Sequence, residues 1–142
     1  MNILTICSAN RCRSITLEAL LNATPGITAR SAGTHPIDTG RAITETDLRW
    51  ADAIIVFEHQ HIKTIRNRFW KLFRDLRIIL FDIPDEFEPF DPDLLPLLVA
   101  QFQARFGLTL EIPADVDVRY QAARNWHRLP WWKTLREDAV KS

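Results

Sequence analysis

Eight consecutive residues near the start of the chain carry the most chemistry: Cys7-Ser8-Ala9-Asn10-Arg11-Cys12-Arg13-Ser14. A thiol and a guanidinium with five residues between them can meet across one tight loop. The loop falls between an apolar run, Ile3 to Ile6, and a segment of helical spacing that starts at Arg13. A strand-to-helix loop can turn several backbone N–H groups toward one point, and the helix N-terminus adds about half a positive charge there. Ser8, Ala9, Asn10, Arg11, Cys12 and Arg13 would then form a cradle for a phosphate dianion. The same field favours a thiolate, the nucleophilic form of cysteine. Cys7 therefore reads as a nucleophile, and Arg13 as the planar fork that grips phosphoryl oxygens. Cys7 could instead be a small apolar residue closing a buried strand. The context outweighs that alternative: strand before, helix after, Arg and Ser in order.

A phosphate monoester must lose its leaving group as an alkoxide unless a proton is delivered. The donor should stand at the same sheet edge as Cys7. Four aspartates follow the fourth apolar run: Asp82, Asp85, Asp91 and Asp93. Asp82 can simply end that strand. Asp93 suits a helix N-cap, with Pro96 in the first turn, where proline is tolerated. Asp91 precedes Pro92 and suits a turn. From spacing alone, Asp85 and Asp91 both stand as candidate acids.

The elements that must position these groups follow from periodicity. Ile3–Ile6 reads as a buried strand ending at Cys7, and Leu17, Leu20 and Leu21 mark a helix from Arg13 to Ala23. Ile27–Ser31 reads as a second strand ended by Gly33, followed by a loop to Gly40 and a helix over Thr44–Trp50. Ala53–Phe57 is continuously apolar, as a parallel strand covered on both faces must be. Ile62, Ile65 and Phe69 mark the next helix, Arg77–Asp82 the fourth strand, and Leu94 to Phe106 a helix closed by Gly107. Strands and helices alternate, so the chain should be an α/β fold: a four-stranded parallel sheet with helices on both faces, a flavodoxin-like three-layer sandwich. Ligands in such folds sit beyond the carboxyl ends of the strands, here Cys7, Ser31, Phe57 and Asp82.

The texture changes after Gly107, which divides residues 1–107 from an extension at 108–142. Leu108, Leu110 and Ile112 alternate like a short strand. Val118, Ala122, Trp126 and Leu129 keep helical spacing until Pro130-Trp131-Trp132 breaks it. The extension is expected to pack its aromatic rings on the core or on a partner, with a substrate lid as the alternative.

Bulk properties narrow the function classes. The 142 residues suit one core. Eighteen basic residues balance eighteen acidic ones, so there is no broad electrostatic footprint for nucleic acid. Two cysteines are too few for a secreted disulfide scaffold or a structural zinc site, and no apolar run approaches a membrane span. The first residues lack a basic n-region and do not read as a signal peptide. A reducing cytoplasm is the expected setting, with no cofactor. His59 and His61 lie two apart, so they do not share a helix face and are not expected to hold a metal.

The loop resembles the active-site signature of the low-molecular-weight protein tyrosine phosphatases, Cys-x-x-Asn-x-Cys-Arg-Ser. Ser31-Ala32-Gly33-Thr34 matches that family's Ser-Ala-Gly-Thr, and Ile83-Pro84-Asp85-Glu86-Phe87 is similar to its Val-Pro-Asp-Pro-Tyr. Asp82-Ile83-Pro84-Asp85 with Asp91-Pro92-Asp93-Leu94 resembles a short bacterial branch of predicted tyrosine phosphatases. The likeness spans about residues 1–107. It implies that Cys7 attacks phosphorus, that Arg13 binds the phosphoryl oxygens, and that Asp85 is the general acid. It further implies that Asn10, Ser14 and Ser31 hold the loop by hydrogen bonds, that Ser14 supports the thiolate, and that Cys12 can pair reversibly with Cys7. The substrate would be a phosphorylated protein or a small phosphoester. Ile15 replaces the family's proline, Arg11 an apolar residue or Thr, and His35-Pro36-Ile37 and Glu86-Phe87 its aromatic walls. Phosphotyrosine is therefore one candidate substrate among phosphomonoesters. Two rival functions share the loop: a non-catalytic phosphate-binding module, and an arsenate reductase, which needs relay cysteines that this chain lacks after Cys12.

Overall fold

Continuous apolar runs fold as strands only where both faces are covered, and this chain supplies a cover for each. The structure, a computed structural model, describes residues 1–37 and 39–128. Strands β1 (Asn2–Cys7), β2 (Thr28–Gly33), β3 (Ala53–Val56) and β4 (Ile78–Leu80) form one parallel sheet in the order β2-β1-β3-β4. β1 is central, so the loop that leaves its carboxyl end is flanked by the ends of β2 and β3.

Side-chain alternation along β1 divides the core in two. Ile3 and Cys7 face α1 (Arg13–Asn22) and α5 (Leu94–Phe106), packing with Leu17, Leu20, Leu98 and Phe102. Leu4 and Ile6 face α2 (Glu45–Trp50) and α3 (His59–Arg68), packing with Leu48 and Ile65. A short α4 (Trp70–Phe73) and a last helix, α6 (Val116–Arg128), complete the described elements. The α/β class with helices on both faces is as expected.

Local differences have local causes. Phe69, expected inside the third helix, breaks it instead: its backbone at φ −126°, ψ 42° leaves the helical region between α3 and α4. Leu108, Leu110 and Ile112 form no strand. Their segment lies against the end of α1, where Glu111 N–H donates to Thr24 Oγ1 at 2.9 Å. Only Leu110 inserts into the core, and Leu108 and Ile112 remain exposed. The helix expected around Val118 is α6. The end of its pattern at Leu129, and Pro130-Trp131-Trp132, lie outside the described residues.

Gly33 closes β2 opposite Cys7. A Cβ there would stand 2.6 Å from Ser8 O and 2.9 Å from Asn10 N, so the loop after β1 needs this glycine to seat against β2. Gly33→Ala should lower unfolding stability by about 1–3 kcal/mol, the usual cost of overpacking a tight site. Urea denaturation of the two proteins measures it, and an unchanged midpoint would show that the loop can shift freely.

Candidate active site

β1 ends at Cys7 and α1 begins at Arg13, so five residues make the connection. Asn10 takes a left-handed backbone, φ 54°, a region asparagine tolerates better than most residues. Its amide works in two directions. Oδ1 accepts from Arg41 N–H at 2.8 Å, and Nδ2 donates to Ser14 Oγ at 3.0 Å. Ser14 Oγ lies 2.9 Å from Cys7 Sγ. Since Asn10 already donates to that oxygen, the Ser14 hydroxyl hydrogen is available to point at sulfur. Thr5 Oγ1 donates to Ser14 O at 2.8 Å and ties the start of α1 to the central strand. The first amides of α1 have no intrahelical acceptor, and no side chain caps them.

Arg13 is 1% exposed, although it carries a charge. Nη1 donates to Ile83 O and Nη2 to Glu58 Oε2, both at 2.8 Å. Its Nε–H is buried without a hydrogen-bond partner. The Asp85 carboxylate stands 3.9 Å from that nitrogen and is itself largely exposed.

Cys7, Ala9, Arg11, Cys12 and Arg13 line one cavity of about 300 Å³. Ile37, Phe87 and Pro89 add apolar surface to it, and Asp85 and Glu88 add carboxylates. The two cysteines are chemically unlike. The Cys12 thiol donates to Phe87 O at 3.1 Å, and its pKa is pushed up to about 12. Burial is the main cause, followed by the nearby Cys7 and Asp85, so Cys12 stays a neutral thiol.

Other expected residues stand elsewhere. Ser8 and Asn10 shape the loop from behind and do not line the cavity. Ser31 reaches the loop through Arg41, whose backbone N–H is held by Asn10. It pairs in register with Thr5, one pleat short of the Cys7–Gly33 pair, and its carbonyl accepts from Arg41 Nη1 at 3.4 Å. Asp91 is a turn residue: its Oδ1 accepts from Asp93 N–H at 2.8 Å, and its carbonyl receives the Leu94 and Leu95 amides. Asp93 takes the N-cap position of α5 without a side-chain cap bond. Of the two acid candidates, only Asp85 lines the cavity.

Glu58 and His61 were not expected at the site. They form a capping box at the start of α3, in which each side chain accepts from the other's backbone N–H. His61 is fully buried. Its Nδ1 accepts from Phe57 N–H at 3.3 Å and Glu58 N–H at 3.1 Å, which places the ring proton on Nε2. Nε2 faces Ser8 Oγ at 2.9 Å. The Glu58-x-x-His61 spacing directly after β3 was the available signal.

No protein-family model matches the chain, and no curated protein does. Solved structures do. The tyrosine phosphatase AmsI of Erwinia amylovora is 24% identical and superposes at TM-score 0.60, covering 72% of this chain and 88% of its own. A low-molecular-weight protein tyrosine phosphatase of Bacillus subtilis is 19% identical at TM-score 0.53, covering 74% and 99%. The YwlE arginine phosphatase of Geobacillus stearothermophilus is 20% identical at TM-score 0.50, covering 87% and 83%. The chain thus has the fold of the low-molecular-weight protein tyrosine phosphatases, as the loop motif implied. No helix among the described residues is long and apolar enough to cross a membrane.

Burial lowers the His61 pKa from 6.5 to about 4. The unfolded chain therefore takes up this proton first as pH falls. The stability at stake is fully present above pH 6.5 and is lost between pH 6.5 and about 4, on the order of 3 kcal/mol. Urea unfolding across that window should show a steeper acid loss in the wild type than in His61→Asn. Parallel curves would refute the assignment.

Proposed function

We propose that this chain is a cysteine-dependent phosphatase of the low-molecular-weight protein tyrosine phosphatase family, hydrolysing phosphomonoesters through a cysteinyl-phosphate. One observation carries the reading: the unpaired, buried Nε–H of Arg13 in the cavity that Cys7 also lines. An orphan donor costs stability unless a ligand satisfies it, and a phosphoryl oxygen is a strong acceptor for a guanidinium.

The residues divide the reaction as follows. Cys7 Sγ attacks phosphorus, forming the S–P bond as the ester P–O bond breaks. The Ser14 hydroxyl, with its oxygen engaged by Asn10, donates to the sulfur and holds it in place for attack. Arg13 and the loop amides take the charge that spreads over the equatorial oxygens. Asp85 gives its proton to the leaving oxygen. It then takes one from water, which attacks phosphorus and frees Cys7 as the S–P bond breaks. Ile37, Phe87 and Pro89 offer an apolar contact for an aromatic leaving group such as phosphotyrosine.

Hydrolysis of p-nitrophenyl phosphate should vanish in Cys7→Ser while orthovanadate binding survives. A wild type that binds oxyanion without turnover would instead be a phosphate-binding module. Asp85→Asn should cost about 10²–10⁴-fold in rate on esters with poor leaving groups, the usual worth of a general acid, and much less on p-nitrophenyl phosphate. An equal loss on both would place the proton elsewhere.

A further inference from the structure

His61 is the most deeply buried titratable group beside the cavity that the chemistry above leaves unused. Its two nitrogens have separate duties. Nδ1 is occupied by the Phe57 and Glu58 amides, a contact within its own helix start. Nε2–H is thereby fixed as a donor, and it points out of α3 at Ser8 Oγ, 2.9 Å away and 53 residues earlier in the chain. Ser8 directly follows the nucleophile. The same nitrogen lies 3.7 Å from Glu58 Oε2, the oxygen that holds Arg13 Nη2 at 2.8 Å. One imidazole therefore stands against both the residue after Cys7 and the carboxylate that anchors Arg13. A helix cap needs only Nδ1. The Ser8 bond adds nothing to the cap, so its effect falls on the loop.

We propose that His61 is a positioning residue for the phosphate loop, setting the loop beside Cys7 through Ser8. The proposal rests on the phosphatase reading of the site. Small errors of placement matter here, because an oxyanion in the reaction geometry is bound by several fixed donors at once.

The two duties can be separated by substitution. In His61→Asn, Oδ1 replaces the Nδ1 acceptor, so the cap is kept while the donor to Ser8 is lost. Ser8→Ala removes the same bond from the other side. Each variant should lose about tenfold in kcat/KM for p-nitrophenyl phosphate and in orthovanadate affinity, the worth of one hydrogen bond. Affinity for inorganic phosphate should fall less, because the ground-state ion tolerates misplacement better than the transition-state analogue. The double variant should be no worse than either single one, and His61→Gln, which restores an N–H near the Nε2 position, should recover part of the loss. Circular dichroism at the assay temperature confirms that each variant is folded. Wild-type values in His61→Asn, losses that multiply in the double variant, or equal weakening of phosphate and vanadate would each overturn the proposal. A wild type that binds vanadate without turnover, but shows the same pattern of affinities, would retire the phosphatase reading and leave the positioning role standing.

Discussion

A guanidinium cannot leave water unless its N–H groups find partners, and Arg13 is almost wholly out of water. Much of the site can be derived from that constraint. The partners cannot come from the loop itself, which is too short to fold back on the side chain. They come from the ends of the neighbouring strands: Glu58 just after β3 and the Ile83 carbonyl after β4. Arg13 therefore ties together three connections that are far apart in sequence. Two of its nitrogens are satisfied by protein, and Nε is not. The uncompensated donor belongs to a side chain that lines the cavity, the direction from which an acceptor could come.

The topology makes these partners available. β1 is the central strand, so its terminal loop is the one that the ends of β2 and β3 both flank. Close approach on the β2 side requires Gly33, and Gly40 plays a similar part, since a Cβ there would stand 2.6 Å from Ala9 O. On the β3 side, the approach is made by polar side chains, Glu58 and His61, which double as the cap of α3. The loop is thus held on the β2 flank by close packing and by backbone hydrogen bonds from Thr34, His35 and Ile37 to Cys7, Ser8 and Ala9, and on the β3 flank by side-chain hydrogen bonds. Its own left-handed Asn10 faces the packed flank through Arg41.

How legible this was depended on range. Cys7 and Arg13 could be read because the loop, its strand and its helix are contiguous. β3 could be read because burial on both faces leaves an unbroken apolar run. Glu58 and His61 were missed because their partners lie 45 and 53 residues away, and because a carboxylate and an imidazole at a helix start have an ordinary local explanation as a cap. That Ser31 reaches the loop only through Arg41 was hidden for a related reason. A motif records order along the chain, but not the register that sets Ser31 against Thr5. Leu108 to Ile112 shows the limit of alternation, since period two says which residues share a face and not whether a strand edge is there to receive them. Asp85 and Asp91 could not be ranked by spacing. They separate once Asp91 is seen to spend its side chain and its carbonyl on the turn into α5.

Phosphoryl chemistry and substrate choice rest on different parts of this cavity. Solved structures of the fold include both tyrosine and arginine phosphatases, so the fold alone does not select the leaving group. In the proposed reaction the loop binds only the phosphoryl oxygens, which every such substrate shares, so its contribution cancels in any comparison between substrates. What remains is the mouth of the cavity. There, Ile37, Phe87 and Pro89 give apolar surface, and Arg11, Asp85 and Glu88 give charges of both signs. Apolar contact discriminates weakly, by about 1–3 kcal/mol per methylene-sized difference. A buried polar group left without its partner discriminates far more strongly. Asp85 is largely exposed and so remains solvated when a poorly matched leaving group fails to engage it. On the proposed reading, the cavity mouth would tolerate a range of leaving groups, while the buried donors behind it would accept one geometry of oxyanion.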